Sequence, residues 1–403
     1  MGDPTANRTS RLPTPRTDLQ QRLADLPPEK LAALHRKLLQ KPQPFQPIRR
    51  LPDESYYPLS FHQQRLWFIE QFQPGTPLYN VSRAMLLRGP LKYPALRSAL
   101  QALLDRHESL RTTFHVLDGE PMQRINPPVG LELPVVDLQA KGTDTDAALK
   151  QHLSREGQHA FDLSEDLLFR PALYRLTDDR HVLQMSIHHL ACDGWSLRLL
   201  FKELALLYRD FCSGQVPDMP PVALRYVDFA RWQREPRQQQ LFAERIEWWK
   251  QHLADAPGVL ALATDKPRPP VSTGSGRFMQ LDIPADLRAQ LEDLARREDL
   301  TLYMILLAVF FILMHRYTGL EKFLVGTTSA GRHRPETHGI VGFFVDTVVM
   351  KADLSGNPAA REVLQRVKQT FIDAVEHGDV PFDRIVESLD LPRDLSRHGL
   401  FQV

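Results

Sequence analysis

Residues Ser186–Ser196 read Ser-Ile-His-His-Leu-Ala-Cys-Asp-Gly-Trp-Ser (SIHHLACDGWS). A strand-like apolar run ends in His188-His189, a short loop follows, and a helix is expected to begin near Ser196. Neighbouring strand residues face opposite ways. His189 therefore shares a face with Leu183, Met185 and Ile187, and His188 shares one with Val182, Gln184 and Ser186. The more apolar face desolvates His189 and favours its neutral form, which a general base requires. Asp193 stands four residues further on, placed to hold a cation or to cap the helix. Gly194 offers backbone freedom for a tight turn. Spacing alone leaves a bland reading open beside the catalytic one. A strand-end histidine can be a satisfied packing residue, and an aspartate before a helix can be a simple cap. The stretch does not read as a metal site, because Cys192 and the two histidines have no second ligand pair with metal spacing elsewhere in the chain.

On both sides of this stretch the pattern mixes helices and strands. Helices are expected over 60–72, 93–104, 145–159, 197–211, around Trp248-Trp249, and over 284–298, 302–317 and 359–376. Strand pairs are expected at 112–117 with 121–125, joined through Asp118-Gly119, and at 168–176 with 181–187. Further strands are expected at 276–283, 322–328 and 342–350. Residues 302–313 (LYMILLAVFFIL) fall short of the ~20 apolar residues that span a bilayer, and read as a buried core helix.

Bulk properties narrow the function classes. With 403 residues, 42% hydrophobic and 25% charged, the chain has the make-up of a globular protein of two to three domains or of one large double-lobed unit. Lys+Arg number 50 and Asp+Glu 49, so the basic excess expected of a nucleic-acid or anionic-membrane binder is absent. Two cysteines, Cys192 and Cys212, fit a reducing, cytoplasmic setting. Residues 1–16 lack the apolar core of an export signal and read as a disordered leader. Residues 17–58 read as a leucine-spaced helical segment, broken at Pro27-Pro28, followed by a Pro-rich linker. The globular part is expected to begin near Leu59. A Pro-rich passage at 216–221 then marks a lobe boundary, giving halves 59–221 and 222–403. The last five residues, GLFQV, are largely apolar, so the chain looks cut off within an element.

The remaining motifs give the stretch a family. HHLACDG resembles the HHxxxDG signature of nonribosomal peptide synthetase condensation domains. Six further stretches resemble the family's other motifs, in the same order. LSFHQQRLW (59–67) is similar to the first, with His62 where Ala is usual, and RHESLRTTF (106–114) matches the second. YVDFARW (226–232) is similar to the fourth. IVGFFVDTVVMK (340–351) is similar to the fifth, with Asp346 where Asn is usual and Lys351 where Arg is usual. HGDVPFD (377–383) and RDLSRHGL (393–400) resemble the sixth and seventh, the latter with His398-Gly399 for Asn-Pro. The order Gly194-Trp195-Ser196 separates the stretch from epimerisation domains, and the paired histidines separate it from cyclisation domains.

The resemblance implies an α/β fold, a mixed α+β sandwich of two chloramphenicol acetyltransferase-like lobes set as a V, the second incomplete at 403. It implies an acyltransferase that joins a donor thioester to an acceptor amine, both carried on phosphopantetheine arms. Its partners would be donor and acceptor carrier proteins and the adenylation domains of one synthetase, with no nucleic acid, membrane, metal or bound cofactor. His189 would act on the attacking amine, while His188 and Gly194 shape the turn. Asp193 would be structural, with Arg106 its expected ion-pair partner. Arg65, Trp195 and Asp346 would support the motifs or border the substrate tunnel. Two alternatives stand beside this: a noncatalytic remnant that still binds carrier proteins, and a related carrier-dependent acyltransferase.

Overall fold

The computed structural model describes residues 47–72, 74–139, 144–270, 276–277, 279–389, 391, 394 and 396–403. The expected leader and leucine-spaced helix lie outside the described residues. By packing, residues 279–309 are the described part of one unit, and 47–278 with 310–403 form the other.

The described strands are β1 (Tyr57–Pro58), β2 (Asn80–Arg88), β3 (Thr112–Leu117), β4 (Glu120–Ile125), β5 (Val135–Asp137), β6 (Phe169–Thr177), β7 (Arg180–His188), β8 (Lys322–Ser329) and β9 (Asp346–Asp353). The helices are α1 (Phe61–Phe72), α2 (Tyr93–Arg106), α3 (Thr145–Gly157), α4 (Gly194–Cys212), α5 (Tyr226–Trp232), α6 (Pro236–Leu253), α7 (Ala285–Arg297), α8 (Leu302–Thr318), α9 (Ala360–Glu376) and α10 (Phe382–Ser388).

In the larger unit the main sheet has the order β2-β7-β6-β5. The β6–β7 hairpin forms as its alternating pattern predicts, and β5 joins parallel to β6. Strand β2, which the sequence pattern did not reveal, pairs with β7 along its whole length, from Asn80↔His188 to Arg88↔Arg180. The β3–β4 hairpin turns at Asp118 (φ 51°) and Gly119 (φ 83°), the two positive φ angles of a tight hairpin turn.

Helix α4 covers this sheet together with α2. Leu197, Leu200, Leu204 and Leu207 recur at helical spacing and share one core with Leu96, Ala99, Leu100 and Leu103. Burying each leucine contributes roughly 1.5–3 kcal/mol, so α4 is held firmly behind the end of β7. That packing fixes the loop between them.

Strands β8 and β9 pair antiparallel, and the chain end runs beside them, with Gly326 N–H donating to Val403 O at 2.8 Å. Leu400 is buried there.

Four expectations change. Residues 47–58 are not a free linker: Ile48 and Tyr57 are buried, and Arg225 holds Asp53 and the Leu51 carbonyl at 2.6 and 2.8 Å. The described residues of 276–283 form no strand, and Met279 and Leu281 are exposed; apolar alternation makes no strand without a neighbour to pair with. The strand expected over 342–350 begins only at Asp346, because the preceding residues are drawn into side-chain hydrogen bonds. Helix α8 forms as expected but is buried on one side only: Tyr303, Leu306, Val309, Leu313 and Tyr317 are exposed. Among the described residues, no single helix is long and apolar enough to cross a membrane.

Candidate active site

Strand β7 ends at His188, and His189 opens a short 3-10 turn over His189–Ala191. His189 therefore does not inherit the strand's alternation; its direction is set by the turn. Its backbone N–H donates to Tyr79 O at 2.9 Å, and its Nδ1 lies 2.7 Å from the Cys192 carbonyl oxygen. A carbonyl only accepts, so Nδ1 carries the hydrogen and the neutral ring presents its lone pair at Nε2. Burial pushes this imidazole below its ordinary value; the bond to Cys192 O and the nearby Asp193 charge oppose that without overcoming it. The ring remains partly exposed and meets Phe343 edge to face, centroids 4.9 Å apart.

His188 does different work. It is buried, its Nδ1 accepts from Leu190 N–H at 3.2 Å, and its Nε2 lies 3.4 Å from Glu70 Oε1. Both nitrogens are spent on the turn and on helix α1, so His188 shapes the loop.

Asp193 caps α4, accepting from Ser196 N–H at 2.7 Å. Its second oxygen accepts from Phe344 N–H at 3.0 Å. The guanidinium of Arg332 faces both oxygens at 3.2 and 3.4 Å. Arg332 also donates to Ser196 Oγ at 2.8 Å and to Ile340 O at 2.8 Å. Burial pulls Arg332 below its ordinary value, and Asp193 pulls it back up.

Arg106 is thus not the partner of Asp193. It pairs with Glu203 at 3.1 Å, and His107 shares that carboxylate at 2.6 Å. Glu203 lies ten residues along α4 from Asp193, about 15 Å of helix, so Arg106 docks two to three turns away. Gly194 also departs from expectation. Its φ is not among the positive values, and a Cβ there would meet nothing within 4 Å. The turn does not demand glycine at this position; the residue leaves open space beside the helix start.

A condensation-domain family profile matches residues 53–403. The chain belongs to the condensation-domain family of nonribosomal peptide synthetases. This condensation domain is 42% identical to a component protein of the linear gramicidin synthase of Brevibacillus parabrevis, over 87% of its own length and 7% of that protein. It is 38% identical to phosphinothricin tripeptide synthetase PhsC of Streptomyces viridochromogenes over 96% of its length and 36% of that protein. The chain therefore spans well under half the length of these relatives. Among solved structures, the X-domain from teicoplanin biosynthesis superposes with TM-score 0.79 at 30% identity, covering 89% of this chain and 79% of that one. The fold is the chloramphenicol acetyltransferase-like fold of condensation domains.

Within this condensation domain the supporting residues take distinct places. Arg65 on α1 pairs with Asp383 at 3.3 Å, and Trp195 Nε1 donates to His338 O at 3.0 Å. Asp346 faces His62 at 3.1 Å. Lys351 pairs with Asp255 and donates to His252 O at 2.8 Å. Sequence reasoning missed Arg332, Glu70 and Phe343. Nothing local marks Arg332, which lies 139 residues from Asp193; the one sequence cue is Gly331 before it, whose φ of +64° and close approach to the Phe344 carbonyl exclude any side chain.

Proposed function

We propose that this condensation domain forms an amide bond between a donor acyl or peptidyl thioester and the amine of an acceptor aminoacyl thioester. Both would arrive on phosphopantetheine arms of carrier proteins, within a cytoplasmic synthetase that also supplies adenylation domains. The observation that carries this reading is the tautomer of His189: Nδ1–H committed to Cys192 O, a free lone pair at Nε2, and a ring held neutral by burial. Nε2 accepts a hydrogen bond from the attacking amine and orients its nitrogen toward the thioester carbon. A C–N bond forms, the C–S bond breaks, and the proton lost by the amine passes to the departing sulfur. Asp193 and Arg332 touch no reacting atom in this scheme; they hold the loop that aims His189. The proposed lobes are the halves 59–221, which contains this loop, and 222–403.

A second reading has one observation in its favour. The X-domain that this chain resembles at 30% identity was also solved in complex with OxyB. A docking module that binds without catalysing is therefore the alternative. One experiment separates the two. The chain is incubated with a donor and an acceptor carrier protein, each loaded with its thioester, and the acceptor arm is weighed by mass spectrometry. Amide product that vanishes with His189→Ala supports catalysis. Carrier binding without product at any loading supports docking.

A further inference from the structure

The segment Gly342–Asp346 carries Phe343, whose ring lies against His189. Side-chain ties hold this segment at several points, and at Phe343 itself the Tyr226 hydroxyl donates to the backbone carbonyl oxygen. Gly342 N–H donates to Ser196 Oγ at 3.1 Å, and Phe344 N–H donates to Asp193 at 3.0 Å. A further tie is His62 Nε2 to Asp346 Oδ2 at 3.1 Å, with both side chains almost fully buried. Asp346 also accepts from Phe382 N–H at 3.1 Å, so this tie joins α1, β9 and α10. The Ser196 and Asp193 ties lead back to the His189 loop and the Tyr226 tie to α5; the His62–Asp346 tie joins a histidine to a carboxylate. His62 itself packs edge to face on Phe343, centroids 6.5 Å apart. One phenyl ring thus separates two histidines. Both members of the tie also depart from the residues usual at their motif positions, and the departures meet in space.

We infer that the His62–Asp346 pair positions His189, by holding Phe343 against the reactive ring, and that its grip weakens when His62 gives up its charge and the bond to Asp346 is no longer charge-assisted. The inference rests on the amide-forming reading above. His62 faces Asp346 on β9, Asp383 on α10 and Arg65 on its own helix, and His333 feels the charges of both His62 and Asp346. Burial alone pushes His62 down; the Asp346 carboxylate, helped by Asp383, outweighs burial and holds it above its ordinary value, with Arg65 opposing. A histidine raised in the folded state contributes stabilisation that is full below its ordinary value and lost as pH rises through the raised one. His189, shifted the other way, is the group that switches on with rising pH.

The test is the pH profile of kcat/KM for amide formation between loaded carriers, for the parent chain, Asp346→Asn, and the double variant His62→Ala/Asp346→Asn. The parent shows two limbs, falling several-fold on the alkaline side. Asp346→Asn moves the alkaline limb to lower pH, because His62 loses its counter-charge. The double variant keeps the acid limb and loses the alkaline one. An alkaline limb unchanged in the double variant overturns the inference. Histidine-selective NMR gives a reading independent of turnover: the His189 ring signals of the parent shift as His62 titrates and stay still in the double variant over that range. Signals that ignore His62 overturn the inference. Absence of product in every chain, with the His189 signals still following His62, instead overturns the proposed function and leaves the tie standing.

Discussion

Arg332 Nη2 sits 3.2 and 3.4 Å from the two carboxylate oxygens of Asp193, across 139 residues of chain, with each side chain 1% exposed. Removing either partner leaves a buried charge uncompensated. Arg332→Ala and Asp193→Ala are each expected to cost about 3–5 kcal/mol, read as a fall in melting temperature by calorimetry. The double substitution costs less than the sum, because the surviving charge is gone too. Arg332→Lys does not restore stability, since one ammonium cannot reach Asp193, Ser196, Thr337 and Ile340 together. An Asp193→Ala chain that melts normally yet makes no amide would instead place Asp193 in the chemistry.

Arg106→Ala tests the corrected pairing from the other side. Glu203 keeps its 2.6 Å bond to His107, so the loss is smaller, about 1–2 kcal/mol. Combined with Asp193→Ala, the two losses add, since no partner is shared and the sites lie about 15 Å apart. Strong coupling in that cycle would reinstate an Arg106–Asp193 connection.

His189→Ala is expected to abolish amide formation with the fold intact, checked by product mass and circular dichroism together. In the parent chain the rate falls as pH drops through the depressed value of His189, below the ordinary 6.5. The stability sign agrees. The folded state resists protonating this ring, so its contribution is full above the ordinary value and is lost as pH falls through the depressed one. Melting temperatures of the parent and His189→Ala chains should converge on acidification. Near-normal product from His189→Ala would remove the central assignment.

Two glycines are expected to part company. Gly331→Ala meets both a φ of +64° and the Phe344 carbonyl oxygen, and should destabilise by more than about 2 kcal/mol. Gly194→Ala meets neither, and at the start of α4 should leave the melting temperature unchanged or slightly raised. Activity lost from a Gly194→Ala chain of undiminished stability would mean that the open space there is occupied by substrate.

Much of the local structure was legible in the chain. Asp118-Gly119 marked its hairpin, the alternation around 168–187 marked β6 and β7, and the leucines of 197–207 marked α4. Strand β2 is an edge strand among the described residues, and its run NVSRAMLLR follows no clean alternation, so periodicity does not reveal it. The buried side of α8 was overestimated because an almost uninterrupted apolar run does not say which face is covered.

The same division runs through the site. Sequence by itself determined what acts within a few residues: an aspartate placed to cap α4, a histidine at the end of an apolar strand beside it, and a family signature around both. Only the tertiary structure decided which cation neutralises Asp193, which ring braces His189, and that His62 and Asp346 meet. Hydrogen bonds and buried ion pairs act over about 3 Å, and nothing in a linear spacing of more than a hundred residues encodes which side chains will come that close.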